Sequence, residues 1–370
     1  MLKKILLPIL ITLSMSLVRP LNAEIVFYTQ IYENREANPE PTTAVLEMVR
    51  QAISRLAHDP RLARHPIARY LSDDNTRVYI IFDNPATRIG SITVNNNQIH
   101  ISSEMDYPYY LEILAHEFTH VGIAEKYGNP GRFSFLSPED YSFLNLMEEA
   151  FANALGLWVH LSYPEMPRDY EVRYHMRQST FNTMGDALRN DILALYPHLN
   201  EEEIKDRVIG EMFNRSMAAA STYSLYEIPR NMAIAYGMHN TFLIPEYQAY
   251  RAHSDALLRH IWDYLASIMP FELPEHLSFD RYRRRYMQSL MDWNVYTGGR
   301  DSILYWIFFN AEDAANEILE AQQEHERFYN FLPREDEERL NRIMLEIDPE
   351  FIPVNTSTNP QRLRQEAENR

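Results

Sequence analysis

A His-Glu-Phe-Thr-His string, running from His116 to His120, is the segment of this 370-residue chain whose residue types and spacing could carry chemistry. On a helix, His116 and His120 project from one face, so both imidazoles can reach a single metal ion. Glu117 lies one step round the helix, where its carboxylate can approach a water on that metal and take its proton. The string therefore predicts a catalytic metal site with Glu117 as the general base.

The residues around this string favour a helix over 110–127. Pro108 suits a first helical turn, and Asp106 or Ser103 could cap it. Gly128, Asn129 and Pro130 follow and should end the helix. The two histidines are thus expected on one well-bounded helix.

A second helix should supply the third ligand, because zinc normally binds at least three protein side chains. Ser137, followed by Pro138, Glu139 and Asp140, is a typical helix start, and the pattern runs to about His160. At 100° per residue one face combines acids with small residues: Asn145, Glu148, Glu149, Ala152, Asn153 and Gly156. Carboxylates on such a face are costly unless they are paired or bound to a cation. From the residues alone, Glu148 and Glu149 both remain open as the third ligand.

The string at 116–120, followed by Glu149-Ala150-Phe151-Ala152-Asn153, resembles the glutamate-zincin metallopeptidases, the thermolysin-like and related groups. The resemblance covers roughly residues 77–160. In that family a second helix carries Glu-x-x-x-Asp, in which the Glu binds zinc and the Asp accepts a hydrogen bond from a histidine. The resemblance therefore implies one zinc ion per chain, held by His116, His120 and Glu149, with Glu148 as the rival ligand.

Asn153 stands where the family has Asp, and its side-chain carbonyl can still accept an imidazole N–H. The elongated zincin pattern, H-E-x-x-H-x-x-G-x-x-H, does not fit, because Ile123 and Lys126 occupy its Gly and third His positions. Members of the resembled family also use a His or Tyr to stabilise the oxyanion, and the candidates here are His175, Tyr236 and His239.

Hydrophobic periodicity predicts the elements around this site. Strands are expected over 24–32, 77–82, 91–94 and 98–102, and helices over 42–57, through most of 164–333 and over 335–347. Ten glycines in 370 residues, against a usual share of about 7%, also favour long helices. We expect an α+β fold: a zincin-like catalytic domain, with a small sheet and two site helices, followed by a mostly α-helical region. The expected divisions are a signal peptide at 1–23, the catalytic domain at 24–163, the helical region at 164–333, and a charged helix with a flexible tail at 334–370.

The N-terminus predicts export. Lys3 and Lys4 precede a mostly apolar run over 5–18 and a short polar part that ends at Ala23. The alternative is a membrane anchor, but a run of about 14 residues is shorter than the roughly 20 that span a bilayer. We therefore expect a periplasmic or secreted protein with no integral membrane segment after cleavage behind Ala23.

Composition narrows the chemistry further. The chain has no cysteine, which excludes disulfides, zinc–thiolate sites and cysteine nucleophiles, so a metal must be held by His, Asp and Glu. A formal net charge of −17 argues against nucleic acid as a partner. In so acidic a chain, the basic run at 281–285 is interpreted as a solvated helix face.

Together these features predict an exported zinc metallopeptidase, a hydrolase that cuts peptide bonds in peptide or protein substrates. The alternative is an exported, non-catalytic binding or scaffold protein in which zinc only stabilises the fold.

Overall fold

The computed structural model describes residues 24–29, 43–71, 77–83, 90–93, 98–102, 106–128, 133, 135–164, 166, 189–219, 244–296, 331–360, 362–363 and 367. The predicted signal peptide at 1–23 and the oxyanion candidates His175, Tyr236 and His239 lie outside these residues. The chain divides into two compact units, residues 1–118 and 119–370.

The first unit contains four short strands: β1 (Glu24–Thr29), β2 (Arg77–Asp83), β3 (Gly90–Thr93) and β4 (Gln98–Ser102). Their order is β1-β2-β4-β3, with β1 and β4 parallel to β2 and β3 antiparallel to β4. Ser91 of β3 pairs with His100 of β4, so the predicted strands at 91–94 and 98–102 are neighbours in the sheet. The local strand predictions are therefore confirmed.

Helix α1 (Thr43–Ala57) belongs to the same unit and follows the predicted amphipathic pattern. Val49, Ala52, Ile53 and Leu56 recur at helical spacing and are fully buried. Two short 3₁₀ turns, Pro60–Leu62 and Pro66–Leu71, continue the chain. The burial of one face explains why this segment is a helix.

Beyond residue 106 every regular element of the described residues is helical. The helices are α2 (Tyr107–Tyr127), α3 (Pro138–Ser162), α4 (Glu201–Ala219), α5 (Gln248–Ala252), α6 (Ser254–Ile268), α7 (Phe279–Tyr296) and α8 (Arg334–Ile347). The Gln248–Ala252 helix follows a single 3₁₀ turn, Pro245–Tyr247.

The predicted fold class, an α+β zincin-like domain, is wrong, because helix dominates the described structure. The strands are four to seven residues long and all lie before residue 103. The physical reason lies in α3, which is buried on nearly every side and packs against α4 and α6. The elements packed around α3 are thus helices and not strands. The hydrophobic periodicity of a buried helix does not reveal which elements will pack against it. The predicted division at residue 163 stays a prediction.

Aromatic side chains join α3 to these helices. The Phe151 ring lies 4.9 Å from that of Phe213 and 5.1 Å from that of Trp262, centroid to centroid, in edge-to-face contacts. The C-terminal half of α2 is attached to α6 in a similar way. The Tyr264 hydroxyl donates to the Gly122 carbonyl at 3.2 Å, and the Tyr127 hydroxyl donates to the His260 carbonyl at 3.2 Å. Helix α6 therefore contacts both helices that carry the predicted site.

Replacing Phe151 by Ala is expected to lower the free energy of unfolding by about 3–5 kcal/mol, because it leaves a cavity among packed rings. Chemical denaturation of the purified protein measures this change. Leu195→Ala, at a side chain that is 72% exposed, is the control and should change it by less than about 0.5 kcal/mol. Equal, small effects of the two substitutions would contradict the packing described here.

The C-terminal part of the chain is held by a buried polar network centred on Glu337. Arg362 donates to Glu337 Oε2 at 2.9 Å, and the Thr356 hydroxyl donates to the same oxygen at 2.6 Å. Tyr250 of α5 donates to Asn341 of α8 at 2.9 Å. Because a buried ion is stable only when it is paired, these contacts anchor Thr356 and Arg362 against α8.

Among the described helices none is both long enough and apolar enough to cross a membrane.

Candidate metal centre

Helix α2 carries the histidine string and is bounded much as the sequence predicts. It begins at Tyr107, directly after Asp106, whose carbonyl accepts the Tyr109 N–H at 3.0 Å. It ends at Tyr127, and Gly128 follows with a φ of 95°, a conformation that favours glycine. The Gly128 N–H donates to the Ala124 carbonyl at 2.9 Å, which closes the last turn.

The three polar residues of the string come together on this helix. His116, Glu117 and His120 each offer one donor atom, and these atoms lie within 4.8 Å of one another. Glu117 and His120 are buried, whereas His116 is partly exposed. Two imidazoles and a carboxylate this close can hold a metal ion, and the two histidines lie together as their spacing predicts.

Helix α3 starts with the predicted cap. The Ser137 hydroxyl accepts the Asp140 N–H at 3.1 Å, Pro138 occupies the first turn, and Glu139 with Asp140 suits the positive helix end. The helix then continues for 25 residues. Its regular geometry fixes where Glu148 and Glu149 point.

These two carboxylates contact opposite nitrogens of one imidazole. Glu148 Oε2 lies 3.5 Å from His120 Nδ1, and Glu149 Oε1 lies 3.5 Å from His120 Nε2. Glu148 is only 4% exposed, but the Glu149 side chain is 55% exposed. The Nδ1 edge of the buried His120 therefore lies beside an enclosed carboxylate, and its Nε2 edge lies beside an exposed one.

Both carboxylates lie at a distance that a shared metal ion allows. Two ligands of a tetrahedral zinc ion lie about 3.3–3.6 Å apart, given bond lengths of about 2.0–2.2 Å, and each carboxylate–imidazole distance is 3.5 Å. The two carboxylates differ in exposure, and a catalytic zinc needs one coordination position open to water and substrate. Glu149, the exposed carboxylate, therefore stays the predicted third ligand, with Glu148 as its rival.

The Glu148 carboxyl is buried beside two other titratable groups, His120 and Glu149. Burial raises the pKa of the Glu148 carboxyl, and the nearby Glu149 raises it further, while the hydrogen bond and charge of His120 lower it. Its second oxygen, Oε1, is buried and has no hydrogen-bond partner within the described part of the chain. Burial and the charge of Glu148 also raise the pKa of Tyr141 to about 12, so this phenol stays protonated.

The supporting hydrogen bond predicted for Asn153 is not seen. Asn153 is buried, but its Oδ1 has no hydrogen-bond partner in the residues that the structure describes. It lies about one helical turn beyond Glu149, and Glu148 contacts the Nδ1 edge of His120 instead. The sequence did not predict that Glu148 would contact Nδ1 of His120, although the position of Glu148 and Glu149 on one helix face indicated that both could lie near the site.

The donor set suits a cation. Two imidazoles and a carboxylate are ligand types that zinc accepts, although the carboxylate of the close group is that of Glu117, the predicted base, and the group does not include Glu149. Glu148, which contacts His120, adds a buried acceptor, Oε1, without a hydrogen-bond partner in the described structure. A positive ion would offset this excess of acceptors. The residues present therefore fit a metal ion such as zinc.

The basic run at 281–285 does not join this site. Arg281, Arg284 and Arg285 are exposed on α7, as expected for a solvated face. Arg283 is the exception, because its guanidinium pairs with Asp140 and, at 2.9 Å, with Asp255. It links the first turns of α3 and α6 and has a structural role.

No family model, curated protein or solved structure matches this chain.

Proposed function

We propose that this protein is a zinc-dependent peptidase in which His116, His120 and Glu149 hold the metal and Glu117 is the general base. The observation that carries the proposal is the close group of His116, Glu117 and His120 on one helix, with the exposed Glu149 at Nε2 of His120. The likeness of this motif to those of glutamate-zincin metallopeptidases supports the same reaction class.

Zinc in this site would supply Lewis acidity, which polarises a peptide carbonyl and lowers the pKa of water. Glu117 supplies the proton transfer. Its carboxylate takes a proton from the attacking water and returns it to the leaving amine, so that it ends the cycle ionised as it began. Glu117 is buried, and one of its carboxylate oxygens lies within 4.8 Å of a ring nitrogen of each histidine.

Exposure favours a catalytic over a purely structural site. Structural zinc is normally enclosed by four protein ligands, whereas a catalytic site has three and an open position. Here the proposed ligands number three, and two of them, His116 and Glu149, reach solvent. A Glu directly beside the ligands is also what a hydrolytic site needs and a structural one does not.

The substrate class we propose is peptide or protein outside the cytoplasm, on the basis of the signal-like sequence at 1–23. With no cysteine, the protein needs no disulfide to fold in an oxidising compartment.

The purified protein is expected to cleave unfolded casein, to lose this activity when a chelator removes zinc, and to regain it when zinc is added back. Magnesium added in place of zinc is the control and should restore nothing, because it prefers oxygen ligands and octahedral geometry. Cleavage that continues at full rate in metal-free protein would overturn the proposed function.

A further inference from the structure

We propose that Glu148 is a positioning residue, which holds His120 by its Nδ1 edge so that Nε2 faces the metal. This inference rests on the proposed function. It assigns to Glu148 a role that differs both from that of a ligand and from that of the residue four positions after the ligand, Asn153.

The first support is the direction of the contact. Glu148 Oε2 approaches Nδ1, and Glu149 Oε1 approaches Nε2 of the same ring. A hydrogen bond donated by Nδ1 fixes the tautomer in which Nε2 keeps its lone pair for a metal. Each ring nitrogen of His120 therefore contacts a different carboxylate, Nδ1 that of Glu148 and Nε2 that of Glu149.

The second support is rigidity. Glu148 is almost fully buried in α3, a helix that packs against α4 and α6, whereas Glu149 is largely exposed. A buried side chain has few alternative rotamers, so it can hold the ring orientation before metal binds. The 3.5 Å contact is long for a hydrogen bond, and we expect it to shorten when a bound cation makes the ring N–H a stronger donor.

The third support is the absence of the expected alternative. Asn153 Oδ1 has no hydrogen-bond partner among the described residues, so it does not orient a histidine there. Glu148 reaches His120 because consecutive residues of α3 diverge by 100° and can contact the two sides of a ring that points between them.

The test is zinc affinity, measured by competition with a chromophoric chelator, for Glu148→Ala, Glu148→Gln and the control Asn153→Ala. Glu148→Ala should weaken binding about 10–100-fold, the usual effect of removing a partner that orients a ligand. Glu148→Gln should be affected less, because its amide oxygen can accept the same hydrogen bond. Asn153→Ala should bind like wild type, to within about twofold.

A spectroscopic measurement separates positioning from a general effect on stability. With cobalt in place of zinc, Glu148→Ala should retain one metal per chain but show an altered visible spectrum, and Glu148→Gln should restore most of the wild-type spectrum. Unfolding curves of the metal-free variants show whether the fold itself has changed.

The outcomes distinguish failure of this inference from failure of the proposed function. Wild-type affinity and spectrum in Glu148→Ala would overturn the positioning role while leaving the peptidase proposal intact. Loss of all metal at saturating concentration in Glu148→Ala, with binding retained in Glu149→Ala, would make Glu148 a ligand and would also overturn the inference. A wild-type protein that binds no zinc would remove the proposed function itself.

Discussion

Replacing Glu117 by Gln is expected to lower kcat for peptide cleavage by about 10²–10⁴-fold while zinc stays bound. Glutamine has nearly the same size and shape, so it should fit the buried position of Glu117 without opening a cavity. Its amide, however, cannot take a proton from the attacking water. The substitution therefore removes the proposed base and leaves the two histidines in place.

The measurement is casein or peptide cleavage together with the zinc content of the same sample. Glu125→Gln, about two turns further along α2 and partly exposed, is the matched control and should retain full activity and zinc. If Glu117→Gln keeps both its zinc and its cleavage rate, the mechanism is wrong. If wild type and variant both bind zinc and neither cleaves any peptide, the scaffold alternative is favoured.

Replacing Glu149 by Ala is expected to weaken zinc binding about 10²–10³-fold. A four-ligand protein site contributes about 10–16 kcal/mol of binding free energy, or roughly 2.5–4 kcal/mol for each ligand. Because the Glu149 side chain is exposed, its removal loses little packing and should change the free energy of unfolding of the metal-free protein very little. Activity should fall with the metal content.

The comparison with Glu148→Ala decides between the two rival ligands. We expect the Glu149 variant to lose more affinity than the Glu148 variant, because we propose Glu149 as the ligand and Glu148 as a positioning residue. The reverse order would mean that the Nδ1 edge of His120 faces the ion. Equal and negligible effects would mean that neither carboxylate supports the metal.

The local features of the site are predictable from sequence because they depend on neighbouring residues. The spacing of His116 and His120 places them on one helical face in any α-helix. The start of α3 at Ser137 and the end of α2 at Gly128 follow from cap chemistry within a few residues. The structure bears out each of these predictions.

Features that depend on how distant elements pack were not predictable in the same way. The order Glu148-Glu149 does not reveal which carboxylate will meet Nδ1 and which Nε2, since that depends on how α3 crosses α2. The contacts of Phe151 with Phe213 and Trp262 span 62 and 111 residues of sequence, so no local pattern reports them. The α+β prediction failed for this reason: the strand patterns were real but short, and helices provide most of the packing.

Elemental analysis of the purified, dialysed full chain tests the central claim most directly. The account predicts close to one zinc per chain, retained through dialysis and lost on prolonged treatment with a strong chelator. A chain that contains no zinc, and takes up none when zinc is supplied at neutral pH, would contradict the assignment of His116, His120 and Glu149 as a metal centre.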